Sequence, residues 1–182
     1  MSPRAVEILR SVNVVACEDT RSAGRLLSAV SASGARLLSC FEHNEERRTG
    51  QILDLLRSGE DVALVSEAGT PTVSDPGYRL VSRCTEEGFR VSPVPGPCAA
   101  VAALSASGLP TDRFIFLGFP AKKGAKLDSF IAEAIAPART SVCYLPARRV
   151  PSFLGKIAER SVDAQVVIAR ERYFHASELY DD

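Results

Sequence analysis

The feature that most constrains the fold of this chain is the alternation of short apolar runs with segments of helical periodicity. Asp61–Ser66 shows it most clearly, because its Val-Ala-Leu-Val core is apolar without alternation, as in a strand that is covered on both faces. Gly59 and Gly88 follow two helical segments at positions typical of helix termination. The alternation predicts an α/β protein with a mostly parallel sheet.

The predicted elements divide into two α/β units, residues 1–110 and 111–182, which are joined by a link at residues 108–112. The first should contain the mostly parallel sheet, and the second should be a smaller mixed α/β unit. Strands are expected at Val12–Cys17, Ala35–Phe41, Asp61–Ser66, Phe89–Val94, Arg113–Phe119, Thr140–Leu145 and Ala164–Ala169. Helices are expected at Pro3–Leu9, Ser22–Ala29, Tyr78–Glu87, Ala99–Ser107, Leu127–Ala134 and Arg149–Glu159. A further helix should follow the polar stretch that begins at Asn44 and should end near Gly59.

Two strand-to-helix turns are unusually rich in glycine and proline. Gly69-Thr70-Pro71 follows the strand ending at Ser66, and Pro95-Gly96-Pro97 follows the strand ending at Val94. Glycine lets a backbone approach a ligand closely, and ligands of open α/β sheets bind beyond the carboxyl ends of the strands. The turns therefore indicate a shared pocket, although either one alone is equally compatible with a tight turn that binds nothing.

Composition narrows the functional classes. The 22 basic and 22 acidic side chains cancel, whereas a dedicated nucleic-acid binder usually carries a basic excess. A local basic face is still possible at Arg47-Arg48 or at Lys122-Lys123 with Lys126, but such groups are more often solvated surface. The chain contains neither a GxGxxG fingerprint nor a GxxxxGK[ST] phosphate loop, which disfavours Rossmann dehydrogenases and P-loop NTPases.

Five single cysteines without a CxxC pair indicate reduced thiols and a cytoplasmic protein. The longest apolar runs are too short to cross a bilayer, and Met1–Arg10 lacks the apolar core of a secretion signal. No metal site is expected, because the two histidines, His43 and His175, have no ligand spacing that links them.

Five motifs occur in the order found in one enzyme family, and a weaker sixth follows them. With them the chain resembles the tetrapyrrole methylase superfamily, and within it the family of small-subunit ribosomal RNA methyltransferases that 2′-O-methylate a cytidine. The motifs are Cys17–Arg21, Glu42–Glu45, Val65–Tyr78, Val94–Pro97 and Gly108–Phe114, and the sixth is Ala169–Glu171.

The resemblance implies a two-domain tetrapyrrole-methylase-like fold, a homodimer, and S-adenosylmethionine bound in the cleft between the domains. Small residues should dominate such a site, because the implied contacts are mostly backbone and van der Waals. On the first domain, the implied cofactor-binding residues are Ser66, Gly69, Thr70, Pro71 and Val73. The implied cofactor-binding residues after the second turn are Pro97, Cys98 and Ala99, and those on the second domain are Leu145 and Ala169.

The same resemblance places Glu18, Asp19, Arg21 and His43 on the substrate side. A carboxylate there could orient or deprotonate a ribose 2′-hydroxyl, and Arg21 could hold a phosphate. Asp19 or Thr20 could equally cap the following helix, and His43 could be a surface loop histidine. The implied partner is 16S ribosomal RNA or the small ribosomal subunit.

The sequence also departs from the family pattern. Relatives begin with a strand and a Pro-x-Gly-Asn loop, and they continue with further strands after the segment that ends here at Asp182, so we expect a chain truncated at both ends. Tyr144–Arg149 replaces a Tyr-Glu-Ser-Pro-His-Arg-like segment, and the acidic residue expected near Leu117 is missing. Two alternatives therefore stay open: methylation of a tetrapyrrole or other small acceptor, and a degenerate, non-catalytic homologue.

Overall fold

The computed structural model describes residues 1–32, 34–41, 43–136 and 138–170. They form two compact units, one comprising Met1–Cys98 and the other beginning at Ala99. Both contain parallel strands connected through helices, which confirms the predicted fold class. The predicted division into domains at residues 1–110 and 111–182 stays a prediction, because compactness alone does not define a domain.

The first unit is a three-stranded parallel sheet with the order β2-β1-β3. In its register, Val14 lies opposite Arg36 on one side and Val62 on the other. The strands are β1 (Val14–Cys17), β2 (Arg36–Ser39) and β3 (Val62–Val65). The helices are α1 (Pro3–Ser11), α2 (Thr20–Ala29), α3 (Glu45–Arg57) and α4 (Tyr78–Glu86).

The central strand β1 is buried on both faces, as its apolar sequence requires. Val14 and Ala16 belong to a core cluster with residues of α3 and α4. Val15, which is fully buried, belongs instead to a cluster with Leu9 of α1 and Leu27 of α2. Alternate residues of a strand point to opposite faces, so one four-residue strand anchors both helical layers.

The second unit has its own core. Its parallel strands β4 (Phe114–Phe116) and β5 (Thr140–Val142) pair directly, and its helices are α5 (Ala99–Ala106), α6 (Ala125–Ala134) and α7 (Val150–Ala158). Leu127 and Ile131 of α6 pack with Phe153 and Ile157 of α7. The short 3₁₀ turn Ala147–Arg149 leads into α7, where Pro151 occupies the first turn without loss of a helical hydrogen bond.

Two predicted strands are wrong. At Phe89–Val94 the Phe89 amide donates to the carbonyl of Cys84 at 2.9 Å, so this residue completes the end of α4 at the left-handed Gly88. The proline that follows Ser92 has no N–H for a ladder. Ala164–Ala169 has no regular secondary structure and no strand partner among the described residues, which shows that apolar character alone does not make a strand.

Candidate functional site

The sheet of the first unit has a topological switch point between β1 and β3. From β1 the chain passes through α2 to β2 on one side, and then through α3 to β3 on the other side. Such a reversal opens a crevice at the carboxyl ends of the two adjacent strands β1 and β3. A cavity of about 130 Å³ lies there, lined by Cys17, Ser22, Ala23, Leu26, Val65, Ser66 and Glu67.

The cavity is small and of mixed polarity. Pockets for drug-sized ligands usually measure about 300–1,000 Å³, so this one could enclose only part of a nucleoside-sized ligand. Burial raises the pKa of the Cys17 thiol, and the nearby charges of Glu67 and Asp19 add to this effect. The raised pKa keeps the Cys17 thiol neutral, and only the thiolate is a nucleophile, so Cys17 lines the cavity without a reactive role.

The loop at residues 66–77 leaves the cavity and contains the first glycine-rich turn. Ser66 donates its hydroxyl to the carbonyl of Gly69 at 3.3 Å, and the Val73 amide donates to the carbonyl of Thr70 at 3.3 Å. Thr72 at φ +73° and Ser74 at φ +61° adopt a left-handed backbone, which is especially unfavourable for a β-branched residue such as threonine. Each such residue costs about 1–3 kcal/mol, a strain that persists only where surrounding contacts impose it.

Glu45, from a distant part of the sequence, anchors the end of this loop. Its carboxylate is buried, and its Oε1 accepts hydrogen bonds from the backbone amides of Gly77 at 3.1 Å and Arg79 at 3.0 Å. These amides lie at the start of α4, where helical N–H groups have no intrahelical partner and favour an anion. Glu45 belongs to a motif recognised in the sequence, but this role could not be predicted there, because it depends on the contact between α3 and α4.

Gly77 is suited to this anchor for a second reason. Its φ of +120° disfavours other residues, and an added Cβ would approach Leu64 Cδ2 to 2.7 Å. Leu64 is part of β3 and packs against the core. The end of the loop is therefore hydrogen-bonded to the Glu45 carboxylate and also packs closely against Leu64 of the sheet.

His43 and Asn44 of the same motif lie in a turn directly before α3. Asn44 accepts the Phe41 amide at 2.8 Å through Oδ1 and donates to the carbonyl of Ser39 at 3.2 Å. His43 is exposed, with its ring edge-on to Phe41 at a centroid distance of 6.3 Å. Glu42 lies outside the described residues. The substrate role of His43 stays a prediction.

The Glu18–Arg21 cluster begins α2. Asp19 is the N-cap, its carboxylate accepting the Arg21 amide at 2.8 Å, and the two side chains form an ion pair at 2.9 Å. Hydrogen bonding to Arg21 lowers the pKa of Asp19 to about 2. Glu18 is exposed, and its carbonyl accepts the hydroxyl of Ser39 at 3.3 Å. The capping interpretation of Asp19 is thus confirmed, while catalytic roles for the cluster remain predictions.

The other predicted cofactor residues are distributed over both units. In the first unit, Ser66 lines the cavity, Gly69, Thr70, Pro71 and Val73 lie on the loop beyond it, and Pro97 and Cys98 end the unit. In the second unit, Ala99 begins α5, Leu145 packs against the core, and Ala169 is exposed. Their joint contact with a cofactor stays a prediction.

Among the residues described, no three His, Cys, Asp or Glu side chains are grouped so that they could hold a metal ion. Within the same part of the chain, every helix is too short or too polar to cross a bilayer.

The parallel sheet defines an α/β protein, and its cavity lies at the switch point, where open-sheet proteins bind ligands. The family described as Tetrapyrrole (Corrin/Porphyrin) Methylases matches residues 1–172 of this chain. The chain belongs to that family, and the resemblance predicted from its motifs is confirmed.

Relatives at 43–45% identity carry the name ribosomal RNA small subunit methyltransferase I. The protein of Escherichia coli O157:H7 is 45% identical over 173 residues, which cover 94% of this chain and 60% of the relative. The protein of Pseudomonas aeruginosa is 44% identical, over 94% of this chain and 61% of the relative. The protein of Hydrogenobaculum sp. is 43% identical, over 92% of this chain and 73% of the relative. The chain thus spans about three fifths of the length of the first two relatives.

Proposed function

We propose that this protein transfers a methyl group from S-adenosylmethionine to the 2′-oxygen of a cytidine in 16S ribosomal RNA. The observation that carries the proposal is the identity of 40–45% over at least 92% of the chain to proteins named ribosomal RNA small subunit methyltransferase I. The substrate would place the protein in the cytoplasm, and we also propose that it acts as a homodimer.

The two glycine-rich turns leave space beside their backbone for such a cofactor. A Cβ atom built on Gly69 meets no heavy atom within 4 Å, and one built on Gly96 meets only the Val94 carbonyl at 4.0 Å. A ligand could therefore approach the backbone at both turns. Ser66 and the loop residues Gly69–Val73 would hold the cofactor from the first unit, together with Pro97 and Cys98. Ala99, Leu145 and Ala169 would hold it from the second unit.

When bound, S-adenosylmethionine supplies an electrophilic methyl group on a sulfonium. The protein would then contribute alignment of the ribose hydroxyl and removal of its proton. Asp19 is a poor proton acceptor at neutral pH, because its pKa of about 2 lies far below the range that suits a general base. Glu18 and His43, both exposed, remain the proposed proton acceptors, and Arg21 would orient a phosphate.

The decisive experiment has two stages. Calorimetry with S-adenosylmethionine should show binding at micromolar concentration, and ribose-methylation mapping of 16S ribosomal RNA should lose one 2′-O-methylcytidine in a strain that lacks the gene. Restoration by the wild-type gene is the control. An unchanged map would remove the RNA assignment.

The family description also keeps a tetrapyrrole acceptor as a second candidate. Cofactor binding together with an unchanged RNA map, and methyl transfer to a corrin or porphyrin precursor, would favour that candidate. Absence of cofactor binding would leave a non-catalytic homologue.

A further inference from the structure

A second cavity, of about 170 Å³, lies in the second unit between the start of α6 and the start of α7. Its lining includes four cationic side chains, Lys122, Lys123, Arg149 and Lys156. No carboxylate is among the described residues that line it. The whole chain carries 22 basic and 22 acidic residues, so this concentration of positive charge is local to the cavity.

The positive charge of the cavity is only partly neutralised. Arg149 donates to the carbonyls of Pro120, at 3.0 Å, and Ala121, so its guanidinium is held in place by neutral acceptors and keeps its charge. Asp128 lies 3.9 Å from the ammonium of Lys156, but it also forms a 2.7 Å ion pair with Arg160. One carboxylate is therefore shared between two cations, and the lining keeps an excess of positive charge.

The helix α6 adds a weaker contribution of the same sign. It begins at Ala125 after the N-cap Gly124, which lines the cavity, and no described side chain caps this end. The positive end of the helix dipole thus lies at the same cavity as the four cations. Both features favour an anion with several oxygen acceptors.

We propose that this cavity binds a phosphodiester group of the RNA strand that the protein methylates, an inference that rests on the proposed function. At about 170 Å³ the cavity is smaller than the roughly 300 Å³ from which pockets for whole small ligands begin. It suits one phosphate group of a longer polymer, with bases and neighbouring sugars outside. The contact would position the strand without reading its sequence.

Single substitutions Lys122→Gln and Lys123→Gln test the site, with Lys126→Gln as the matched control. Lys126 is exposed and belongs to the same basic segment, but it does not line the cavity. Glutamine keeps most of the side-chain length, so each variant differs from the wild type mainly by one charge. The assay is filter binding of a 16S ribosomal RNA transcript between about 50 and 200 mM salt.

Each lysine that contacts a phosphate should contribute about 0.7 to the slope of log affinity against log salt concentration for single-stranded RNA. Near 150 mM salt this corresponds to roughly fourfold weaker binding for each cavity variant, and roughly fifteenfold for the double variant that combines Lys122→Gln with Lys123→Gln. The control should change affinity less than about twofold, because its charge lies outside the contact and is screened.

The outcomes separate the two proposals when methyl transfer is measured on the same preparations. Cavity variants that bind RNA as tightly as the control overturn the phosphodiester site, even if methyl transfer persists. A wild-type chain that does not bind the transcript overturns it as well. Selective loss of RNA affinity without methyl transfer by any preparation supports the site and refutes the proposed activity. Inorganic phosphate that binds the cavity without any change in RNA affinity of the variants would show a free anion site instead.

Discussion

Replacing Glu45 by alanine should destabilise the first unit and loosen the loop at residues 66–77. The substitution leaves the amides of Gly77 and Arg79 without their buried carboxylate acceptor. A hydrogen bond to a charged group contributes about 1.5–3 kcal/mol, and two bonds that share one oxygen are not additive. We therefore expect a loss of about 2–4 kcal/mol, a large part of the 5–15 kcal/mol that stabilises a typical protein.

Glu45→Gln separates charge from hydrogen bonding. Both amides contact Oε1, so the oxygen of a glutamine can accept both hydrogen bonds while the negative charge at the start of α4 is lost. The charge–dipole contribution alone is about 0.3–2 kcal/mol, which should make this variant milder than alanine. Glu46, the next residue of α3, is exposed and provides matched alanine and glutamine controls.

Urea unfolding followed by circular dichroism measures the free-energy change, and hydrogen exchange of the Gly77 and Arg79 amides measures the local effect. Exchange of these two amides should accelerate at least about tenfold in Glu45→Ala, since tenfold corresponds to 1.4 kcal/mol. The reasoning fails if Glu45→Ala costs no more than Glu46→Ala, or if the two amides keep their protection.

Two further predictions concern backbone conformation and pH. Gly77→Ala should lower the free energy of unfolding by about 2–4 kcal/mol, because left-handed strain is combined with a Cβ only 2.7 Å from Leu64 Cδ2. The control Gly59→Ala, at φ +88° in open space, should lower it by only about 1–2 kcal/mol. Equal losses in urea unfolding would contradict the packing argument. The pKa of Asp19 is lowered, so its contribution to stability is present above about pH 4 and is lost as the pH falls towards 2. Asp19→Asn should therefore show a smaller fall of Tm across this window than the wild type, and parallel Tm curves would refute the assignment.

Much of the fold follows from local sequence, but apolar character alone does not identify a strand. The strand Val62–Val65 and the helix Glu45–Arg57 lie within the predicted ranges, because a buried strand and an amphipathic helix each leave a local pattern. Phe89–Val94 and Ala164–Ala169 have comparable apolar character but are not strands. A strand needs a neighbour to accept its hydrogen bonds, and local sequence does not specify that neighbour.

The candidate site shows the same division. Asp19 could be recognised as a possible helix cap because the cap and its helix are adjacent in sequence. The link from Glu45 to Gly77 joins residues 32 positions apart, and the Arg149 contacts that shape the basic cavity span 28 and 29 positions. Such features arise only when the chain has folded, so a single sequence reveals the side chains without their partners.

The anchor at Glu45 also has an evolutionary consequence. Its partners are backbone amides, so the hydrogen bonds constrain the path of the loop but do not depend on the side chains within it. Residues such as Val73, which is exposed, could change while the loop keeps its path. Exposed side chains of the loop could therefore diverge within the family while the anchor at Glu45 keeps the backbone in place.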